Sequence, residues 1–329
     1  MKLQILIPQY KETDEIVKPM LDSIEIQQNV DLKNDVGVII VNDGTDVRLS
    51  SSLLSRYTYH IDYYHADHGG VSAARNKCLD YATADYVMFC DADDMFYNAC
   101  GLYIVFREME SAGFDSLVSA FVEESRHPVT REPLYINHDM DSTFVHGKIH
   151  RRQYLLDNGI RWNDALTIHE DSYFNCLCQR LAGELKYSQT PFYLWKWRDA
   201  SVCRHDPKYI LKTYNNMLDS NDALVQQFLD RGRKPDAQFY AVSMIFDAYF
   251  TMNKDEWLNQ DNRDYRAATE KRFAAYWRKH RSLHDSMPKE LRAHVIMGIK
   301  NRMYTEDMVL ETQTFDMWIQ DIEKIAKEE

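Results

Sequence analysis

The sequence has 329 residues, and its 51 acidic residues outnumber its 39 basic ones, giving a formal net charge of -12. This balance argues against a surface devoted as a whole to binding polyanions. No segment approaches the ~20 consecutive apolar residues that cross a bilayer, and the apolar run before Pro8 is too short for the core of a signal peptide. We therefore expect a cytoplasmic protein without a transmembrane segment. Peripheral contact with a membrane is compatible with this expectation.

The first part of the chain alternates short β-rich runs with helical patterns, which predicts a parallel sheet with crossover helices. Strands are predicted at residues 3–7, 37–41, 59–64, 86–90 and 115–122. Apolar residues at three- and four-residue steps predict helices at residues 16–27, 71–81 and 102–111. Because Pro19 fits best in the first turn of a helix, we expect the first helix to begin near Lys18.

The pattern is mixed up to about residue 205 and helical beyond it. We predict an extended segment at 143–149, helices at 151–157 and 171–181, and a strand at 192–197. Helices at 209–229, 237–252, 264–281, 288–302 and 308–326 are predicted to follow. Together these elements predict an α/β fold, with a Rossmann-like, mostly parallel sheet flanked by helices and an all-helical C-terminal region. We expect the domain boundary between residues 205 and 206.

Polar residues follow three of the predicted strands. The first strand runs into Pro8, Tyr10 and Glu12, the second into Asn42-Asp43-Gly44-Thr45, and the fourth into Asp91-Ala92-Asp93-Asp94. In an open parallel sheet, ligands bind at the carboxyl ends of the strands. The three strand ends therefore predict one site at this edge of the sheet.

Three carboxylates within Asp91–Asp94 would repel one another unless a cation neutralised them. One or two of them could simply cap the next helix. Alternate residues of an extended chain face the same way, so Asp91 and Asp93 can act on one ligand. Carboxylates together with a substrate's phosphates are what Mg²⁺ or Mn²⁺ prefers. We favour a metal-phosphate site here.

Other segments also carry candidate residues, each with a structural alternative. Asn42–Thr45 could be an Asp-Gly turn, although Asp43 is well placed to accept a hydrogen bond from a nucleotide base. Residues 68–76 enter a helix through two glycines, where Arg75 could reach a diphosphate or form a surface ion pair. The pair Glu170-Asp171 begins a helix, a position that the helix dipole alone favours for acidic residues. His205, among basic neighbours, is a candidate metal or phosphate contact.

In chain order, these segments resemble the family 2 glycosyltransferases of the GT-A fold. The matching segments are ILIPQYKE, VIIVNDGT, GGVSAARN, FCDADD, HGKIHRRQYL, HEDSYF and YLWKWRDASVCRH. Each motif alone is weak, but seven in the family's order and spacing are strong support. Two positions depart from the family's pattern: Asn42 stands where a first Asp is usual, and Lys11 replaces the Asn of P-x-Y-N.

The resemblance implies non-processive transfer of a sugar from a nucleoside-diphosphate donor, UDP-sugar favoured, to an acceptor hydroxyl with inversion. Residues 1–205 would then be the catalytic domain, and residues 206–329 would bind the acceptor or pack. The implied donor-binding residues are Pro8, Tyr10, Glu12, Asp43, Arg75, Asp91 and Asp94. The implied ligands of Mn²⁺ or Mg²⁺ are Asp91, Asp93 and His205. Asp171 would be the general base.

The sequence does not identify the acceptor molecule. A polysaccharide or glycoconjugate is the main interpretation, and hydroxylated bases in DNA are the alternative. Residues 263–281 bear on this choice because they hold seven basic residues with interleaved aromatic ones. They form either a surface for a polyanion or an ordinary amphipathic helix with a packed aromatic face.

Three other classes fit less well. A sugar nucleotidyltransferase would carry a glycine-rich loop after its first strand, and ILIPQYKE has no glycine. A phosphatase of the Asp-x-Asp type would place that motif on its first strand, whereas here it follows the fourth. A non-catalytic binding module is disfavoured by the intact Asp91, Asp93 and Asp171.

Overall fold

The computed structural model describes residues 1–199, 208–303 and 313–327. The chain divides into two compact units, Met1–Ser201 and Val202–Glu329. Among the helices of the described residues, none combines the length and apolar character needed to cross a membrane.

The five strands predicted between residues 3 and 122 are present close to their predicted positions. The strand predicted at 192–197 begins earlier, at Leu185, and the extended segment predicted at 143–149 is a strand only at Lys148 and Ile149. The strands of the first unit are β1 (Leu3–Gln9), β2 (Val36–Asp43), β3 (His60–Ala66), β4 (Tyr86–Phe89), β5 (Met95–Phe96), β6 (Ser116–Arg126), β7 (Pro133–His138), β8 (Lys148–Arg151) and β9 (Leu185–Trp195). Every residue of β2 is buried, as expected for a strand covered on both faces. The sequence did not reveal β5 or β7, because β5 has two residues and β7 is exposed along nearly its whole length.

Within the described residues these nine strands form one sheet, of order β3-β2-β1-β4-β8-β6-β9-β5, with β7 paired to β6. The pairs β3-β2, β2-β1 and β1-β4 are parallel. Strand β8 is antiparallel to both β4 and β6, while β9 runs parallel to β6. The α/β fold with its parallel-rich sheet is therefore confirmed.

The helices of the first unit cover this sheet. They are α1 (Asp14–Glu25), α2 (Leu32–Asp35), α3 (Ser51–Leu54), α4 (Gly70–Tyr81), α5 (Gly101–Ala112), α6 (Arg152–Asp157) and α7 (Glu170–Leu181). The prediction that the first helix begins near Lys18 was wrong, because α1 begins at Asp14 and contains Pro19. The acidic residues Asp14 and Glu15 favour the earlier start, since they lie in the first turn, where the helix dipole attracts negative charge.

The second unit is helical where it is described. Its helices are α8 (Tyr209–Asp230), α9 (Lys234–Met252), α10 (Asp255–Leu258), α11 (Arg263–Asp285), α12 (Lys289–Met303) and α13 (Phe315–Ile325), with a short 3-10 turn at Gln260–Asn262. Their core includes Phe250, Trp257 and Trp318. The all-helical C-terminal region is confirmed for the described residues, and the part of the last predicted helix at 308–312 lies outside them.

Helix α11 carries the basic and aromatic residues noted in the sequence. Phe273, Tyr276 and Trp277 are buried in the core of the unit. Several of its basic side chains are paired with acidic ones: Arg266 with Glu270 (2.7 Å), Arg272 with Asp219 (2.7 Å), Lys279 with Asp222 (2.6 Å) and Arg281 with Glu323 (3.0 Å). The structure therefore matches the amphipathic-helix interpretation of this segment.

Candidate active site

The ends of β1, β2 and β4 lie together because these three parallel strands are neighbours in the sheet. Gln9, at the end of β1, pairs in register with Asn42 on β2. Pro8 lies one residue before Gln9, beyond Leu6, the last β1 residue that pairs with β4. A proline is tolerated there because its missing N–H removes no hydrogen bond of the β1-β4 ladder.

The carboxylate of Asp43 holds the start of helix α4. Its Oδ1 accepts a hydrogen bond from the Gly69 amide (2.8 Å), and its Oδ2 accepts one from the Gly70 amide (3.0 Å). Nδ1 of His68 lies 2.8 Å from the same Oδ2. Gly44 permits this close approach of residues 43 and 68. Its φ is +71°, and a Cβ at Gly44 would lie 2.4 Å from the backbone nitrogen of His68. Asp43 thus orients the loop before α4, and only 4% of its surface is exposed.

Both polar atoms of the Asn42 side-chain amide are hydrogen-bonded beneath this loop. Its Nδ2 donates to Gln9 Oε1 (2.7 Å) and to the Val47 carbonyl (2.8 Å). Its Oδ1 accepts from the Thr45 amide (3.0 Å) and lies 2.9 Å from His65 Nδ1. An aspartate could not donate to the Val47 carbonyl, which gives a physical reason for asparagine at this departure from the family's pattern.

Tyr10 lies exposed beside this network. Its ring stacks on that of His68, with ring centroids 5.0 Å apart and an interplanar angle of 23°. The Tyr10 amide donates to Glu12 Oε2 (2.8 Å), which fixes the turn after β1. Two adjacent, exposed aromatic rings are a suitable surface for stacking a nucleotide base.

Asp94 is buried at the tip of β4. Its Oδ2 accepts from the Tyr193 hydroxyl (2.6 Å) and its Oδ1 from the Lys196 amide (2.9 Å). The Tyr193 oxygen in turn accepts from the Asp91 amide (3.1 Å). Burial raises the pKa of Asp94 well above its usual range, and the charges of Asp93 and Asp91 add to the effect. Tyr193 therefore joins both ends of the Asp91–Asp94 segment.

One group of candidate metal ligands lies at this tip. Ligand atoms of Asp91, Asp94 and His146 all come within 4.8 Å of one another in the described part of the chain. His146 is buried against the Tyr193 ring, with centroids 4.9 Å apart. Two carboxylates and one imidazole fit Mn²⁺ better than Mg²⁺, because Mg²⁺ takes oxygen ligands almost exclusively. The predicted third ligand, His205, lies outside the described residues.

Asp93 faces an arginine from the segment after β9. Nη1 of Arg198 lies 2.5 Å from Asp93 Oδ2 and 3.8 Å from Glu12 Oε1. About a third of the Arg198 side chain is exposed, and a quarter of that of Asp93. A positive charge therefore already lies beside this carboxylate.

Arg75 joins the tip of β4 to the start of α7. Its guanidinium contacts Asp91 (2.9 Å), Glu170 (3.1 Å) and Asp171 (2.8 Å). It also lies 4.4 Å from the centre of the Trp162 ring. Burial opposes the charge, yet the three carboxylates together raise the pKa of Arg75 above its usual value. The surface ion pair, the structural alternative considered for Arg75, does not describe these contacts, because only 3% of Arg75 is exposed.

The backbone turn before α7 places the carboxylates of Glu170 and Asp171 against Arg75. His169 adopts a left-handed conformation with φ 64°, which turns the chain directly into the helix. Asp171 Oδ1 accepts from Arg75, and its Oδ2 accepts from the Val145 amide (3.1 Å). Burial raises the pKa of Asp171, while Arg75 opposes that rise. Burial and the charge of Asp171 raise the pKa of Glu170 to about 7.

The predicted site residues thus form connected groups. Asp91 and Asp171 share Arg75, Glu12 and Asp93 share Arg198, and Asp43 contacts the His68 that stacks on Tyr10. Sequence reasoning gave no role to Glu170, His146, Tyr193 or Arg198. Each lies within a segment that carries the family resemblance, so the motifs marked the right regions without assigning the individual contacts.

A parallel-rich sheet with acidic strand ends at its carboxyl edge is typical of the nucleotide-binding α/β proteins, to which the nucleotide-sugar transferases belong. The comparisons with known proteins agree. The model of "Glycosyl transferase family 2" matches residues 4–171, just over half of the chain. The chain therefore belongs to glycosyl transferase family 2.

Curated relatives carry matching names. The "Uncharacterized glycosyltransferase YibD" of Escherichia coli is 33% identical over 99 residues, which cover 29% of this chain and 27% of that protein. "Glycosyltransferase GlyA" of Streptococcus pneumoniae is 27% identical over 229 residues, or 62% of this chain and 32% of that protein. The chain thus spans about a third or less of the length of these relatives. By contrast, "Uncharacterized glycosyltransferase YwdF" of Bacillus subtilis is 27% identical over 70% of this chain and 82% of its own length.

Solved structures confirm the GT-A fold. The crystal structure of S. aureus TarS 1-349 in complex with UDP-GlcNAc has a TM-score of 0.65 and 15% identity, and the match covers 100% of this chain and 92% of that one. The complex of the same protein with UDP has a TM-score of 0.60, 16% identity, and covers 94% and 95% of the two chains.

Proposed function

We propose that this chain is an inverting, metal-dependent glycosyltransferase that moves one sugar, or a few in succession, from a UDP-sugar to a hydroxyl of a polysaccharide or glycoconjugate. In this proposal residues 1–205 are the catalytic domain, and residues 206–329 bind the acceptor or pack. Asp171 is the general base.

The observation that carries this proposal is the contact of one buried guanidinium with Asp91 and Asp171. Arg75 lies 2.9 Å from the first and 2.8 Å from the second. This bridge holds a base beside the strand end where a donor's diphosphate would bind. One base suffices for an inverting displacement, provided that it reaches the acceptor hydroxyl at hydrogen-bond distance.

Asp171 suits the role of base. Its Oδ1 and Oδ2 each accept one hydrogen bond, so each keeps a lone pair for the proton of the acceptor hydroxyl. Its raised pKa makes it a stronger base than an ordinary aspartate. Arg75 keeps it ionised and fixes its orientation, so the carboxylate is held ready before the acceptor binds.

The metal would be held by Asp91 and Asp93, with His146 or His205 as a further ligand. The clustering of Asp91, Asp94 and His146 within 4.8 Å supports a cation at this tip. A bound Mn²⁺ or Mg²⁺ would neutralise the charge that develops on the leaving diphosphate. In this arrangement Asp94 orients the β4 tip, and through it the donor sugar, by its bonds to Tyr193 and Lys196.

The donor's base would stack on Tyr10, with Pro8 and Glu12 lining the nucleotide pocket. Asp43 has one unused lone pair on Oδ1 and could accept from a base N–H, while it also holds the loop against which the base would lie. Support for uridine comes from the TarS structures, which contain UDP and UDP-GlcNAc.

A glycan acceptor is favoured over DNA. The DNA alternative depended on helix α11 presenting free positive charge, and several of its basic side chains instead pair with acidic neighbours. Binding of a polyanion there would have to break these ion pairs.

The test is a screen of nucleoside diphosphosugars for release of the nucleoside diphosphate, with Mn²⁺, with Mg²⁺ and with EDTA. We expect Mn²⁺-dependent turnover of a UDP-sugar. Proton NMR of the product with an added glycan acceptor reads the anomeric configuration, and inversion is expected. A chain that turns over no donor with either metal would contradict the proposal.

A further inference from the structure

Helix α7 and the segment of residues 141–147, here called the 141–147 loop, are joined by a ladder of hydrogen bonds. Asp171, Asn175 and Gln179 are spaced four residues apart, so they lie on one face of the helix. Asp171 accepts from the Val145 amide, Asn175 Nδ2 donates to the carbonyls of Thr143 (2.8 Å) and Phe144 (3.0 Å), and Gln179 donates to that of Ser142 (3.1 Å).

One peptide group of this ladder is held on both sides. The Phe144 carbonyl and the Val145 N–H belong to the same trans peptide, in which they point in opposite directions. The carbonyl accepts from Asn175 and from the ammonium of Lys148, while the N–H donates to Asp171 Oδ2. Donors on the carbonyl polarise the peptide and strengthen the bond that its N–H makes.

Both donors are fully buried, which is unusual for their residue types. Asn175 is 0% exposed and Lys148 1% exposed. Burial lowers the pKa of Lys148 to about 8. Asn175 Oδ1 has no hydrogen-bond partner among the described residues, and a buried polar atom without a partner is unfavourable. A leucine would avoid that cost, so what asparagine contributes here is its two donated bonds.

We infer that Asn175 and Lys148 are positioning residues for the general base, acting through the 144–145 peptide. This inference rests on the proposed function, in which Asp171 takes the acceptor's proton. Arg75 donates to Asp171 Oδ1 and the 144–145 peptide donates to Asp171 Oδ2. Together these two bonds fix the plane of the carboxylate. The other charged groups around Asp171 are Asp91, Glu170 and Lys148, of which only Lys148 contacts the peptide.

The test compares Asn175→Leu with Gln179→Leu, in UDP-GlcNAc hydrolysis with Mn²⁺. Gln179 donates to the same loop from the same helix face but does not contact the 144–145 peptide. For Asn175→Leu we expect kcat to fall about 10- to 100-fold at unchanged KM, because misplacing a reacting group by ~1 Å has effects of that size. Gln179→Leu is expected to match the unaltered protein.

A double-mutant cycle separates positioning from loss of stability. In an Asp171→Asn background, adding Asn175→Leu should change kcat no further, since the group that Asn175 positions is already disabled. An equal loss in both backgrounds, or an unchanged kcat in the single variant, would overturn the inference. If Asn175→Leu does not fold, Lys148→Met replaces it in the same cycle and the same result is expected.

Crystal structures of the unaltered protein and of Asn175→Leu test the positioning role directly, without measuring enzyme activity. We expect the distance from the Val145 nitrogen to Asp171 Oδ2, 3.1 Å here, to lengthen beyond hydrogen-bond range in the variant. An unchanged distance would refute the positioning role. Absence of turnover of every nucleoside diphosphosugar by the unaltered protein, with either metal, would instead refute the proposed function, so the two failures are distinguishable.

Discussion

Arg198 pairs with Asp93, one of the proposed metal ligands: its Nη1 lies 2.5 Å from Asp93 Oδ2. The same nitrogen lies 3.8 Å from Glu12 Oε1, so the guanidinium is shared between the ends of β4 and β1. A divalent cation that takes Asp93 Oδ2 as a ligand would compete with this arginine for the same oxygen. The displaced guanidinium would then meet the negative charge of a donor's diphosphate.

Arg198→Gln is therefore expected to bind Mn²⁺ more tightly while turning over the donor more slowly. We expect affinity to rise about fivefold, because a partly exposed ion pair contributes up to about 1 kcal/mol. Titration calorimetry with Mn²⁺ alone measures the affinity. Arg126→Gln is a matched control, since Arg126 pairs with Glu124 (2.7 Å). An affinity equal to or below that of the unaltered protein would show that Arg198 does not compete with the metal.

Asp171→Asn is expected to lower kcat by about 10²- to 10⁴-fold, the usual contribution of a general base. An amide cannot accept the proton of the acceptor hydroxyl, but it fills the same space. Steady-state kinetics measure the loss, and calorimetry with UDP is expected to give an unchanged dissociation constant. Asp80→Asn, at an exposed ion pair with Arg161, controls for the loss of one charge. A variant that loses UDP affinity in the same proportion would assign Asp171 to donor binding.

Arg75→Met is expected to destabilise the fold strongly. It leaves three carboxylates, Asp91, Glu170 and Asp171, without the cation that they share. Removing one partner of a buried ion pair typically costs about 3–5 kcal/mol. Urea denaturation measures the free energy of unfolding. Arg161→Met, which breaks an exposed pair with Asp80, should lose less than about 1 kcal/mol. Equal losses in the two variants would mean that Arg75 contributes no more than a surface charge.

Local sequence predicted the strands that position the site but not the contacts within it. Strands β1 and β2 are continuous apolar runs followed by polar residues, so their carboxyl ends could be identified from the sequence. Arg75 and Asp171 are 96 residues apart, and Arg198 and Asp93 are 105 residues apart. No periodicity links such distant positions, because they meet only in the folded unit: Arg75 lies on α4 and Asp171 on α7, while Asp93 follows β4 and Arg198 follows β9.

Exposed or very short elements also escaped prediction, for a different reason. Strand β7 is exposed along nearly its whole length, so its sequence shows no alternation between a buried and a solvent face. Pro19 misled the prediction of α1, since a proline inside a helix is disfavoured by its own geometry. There, burial of Val17, Met20, Leu21 and Ile24 outweighs the lost hydrogen bond.

Glu170→Gln tests the electrostatics of the Arg75 cluster without any substrate. Burial and the charge of Asp171 raise the pKa of Glu170 from 4.5 to about 7. Folding therefore favours the protonated carboxyl, so its stabilising contribution is complete below pH 4.5 and is lost as the pH rises through about 7. Glutamine stays neutral throughout, so Tm of the variant should exceed that of the unaltered protein at pH 8, and the difference should shrink towards pH 5. The stability difference between these limits can reach about 3 kcal/mol, since one pKa unit corresponds to about 1.4 kcal/mol. Calorimetric scans of both proteins across this pH range measure the difference in Tm. If the variant instead loses stability relative to the unaltered protein as the pH rises from 5 to 8, the charged form of Glu170 stabilises the cluster through Arg75.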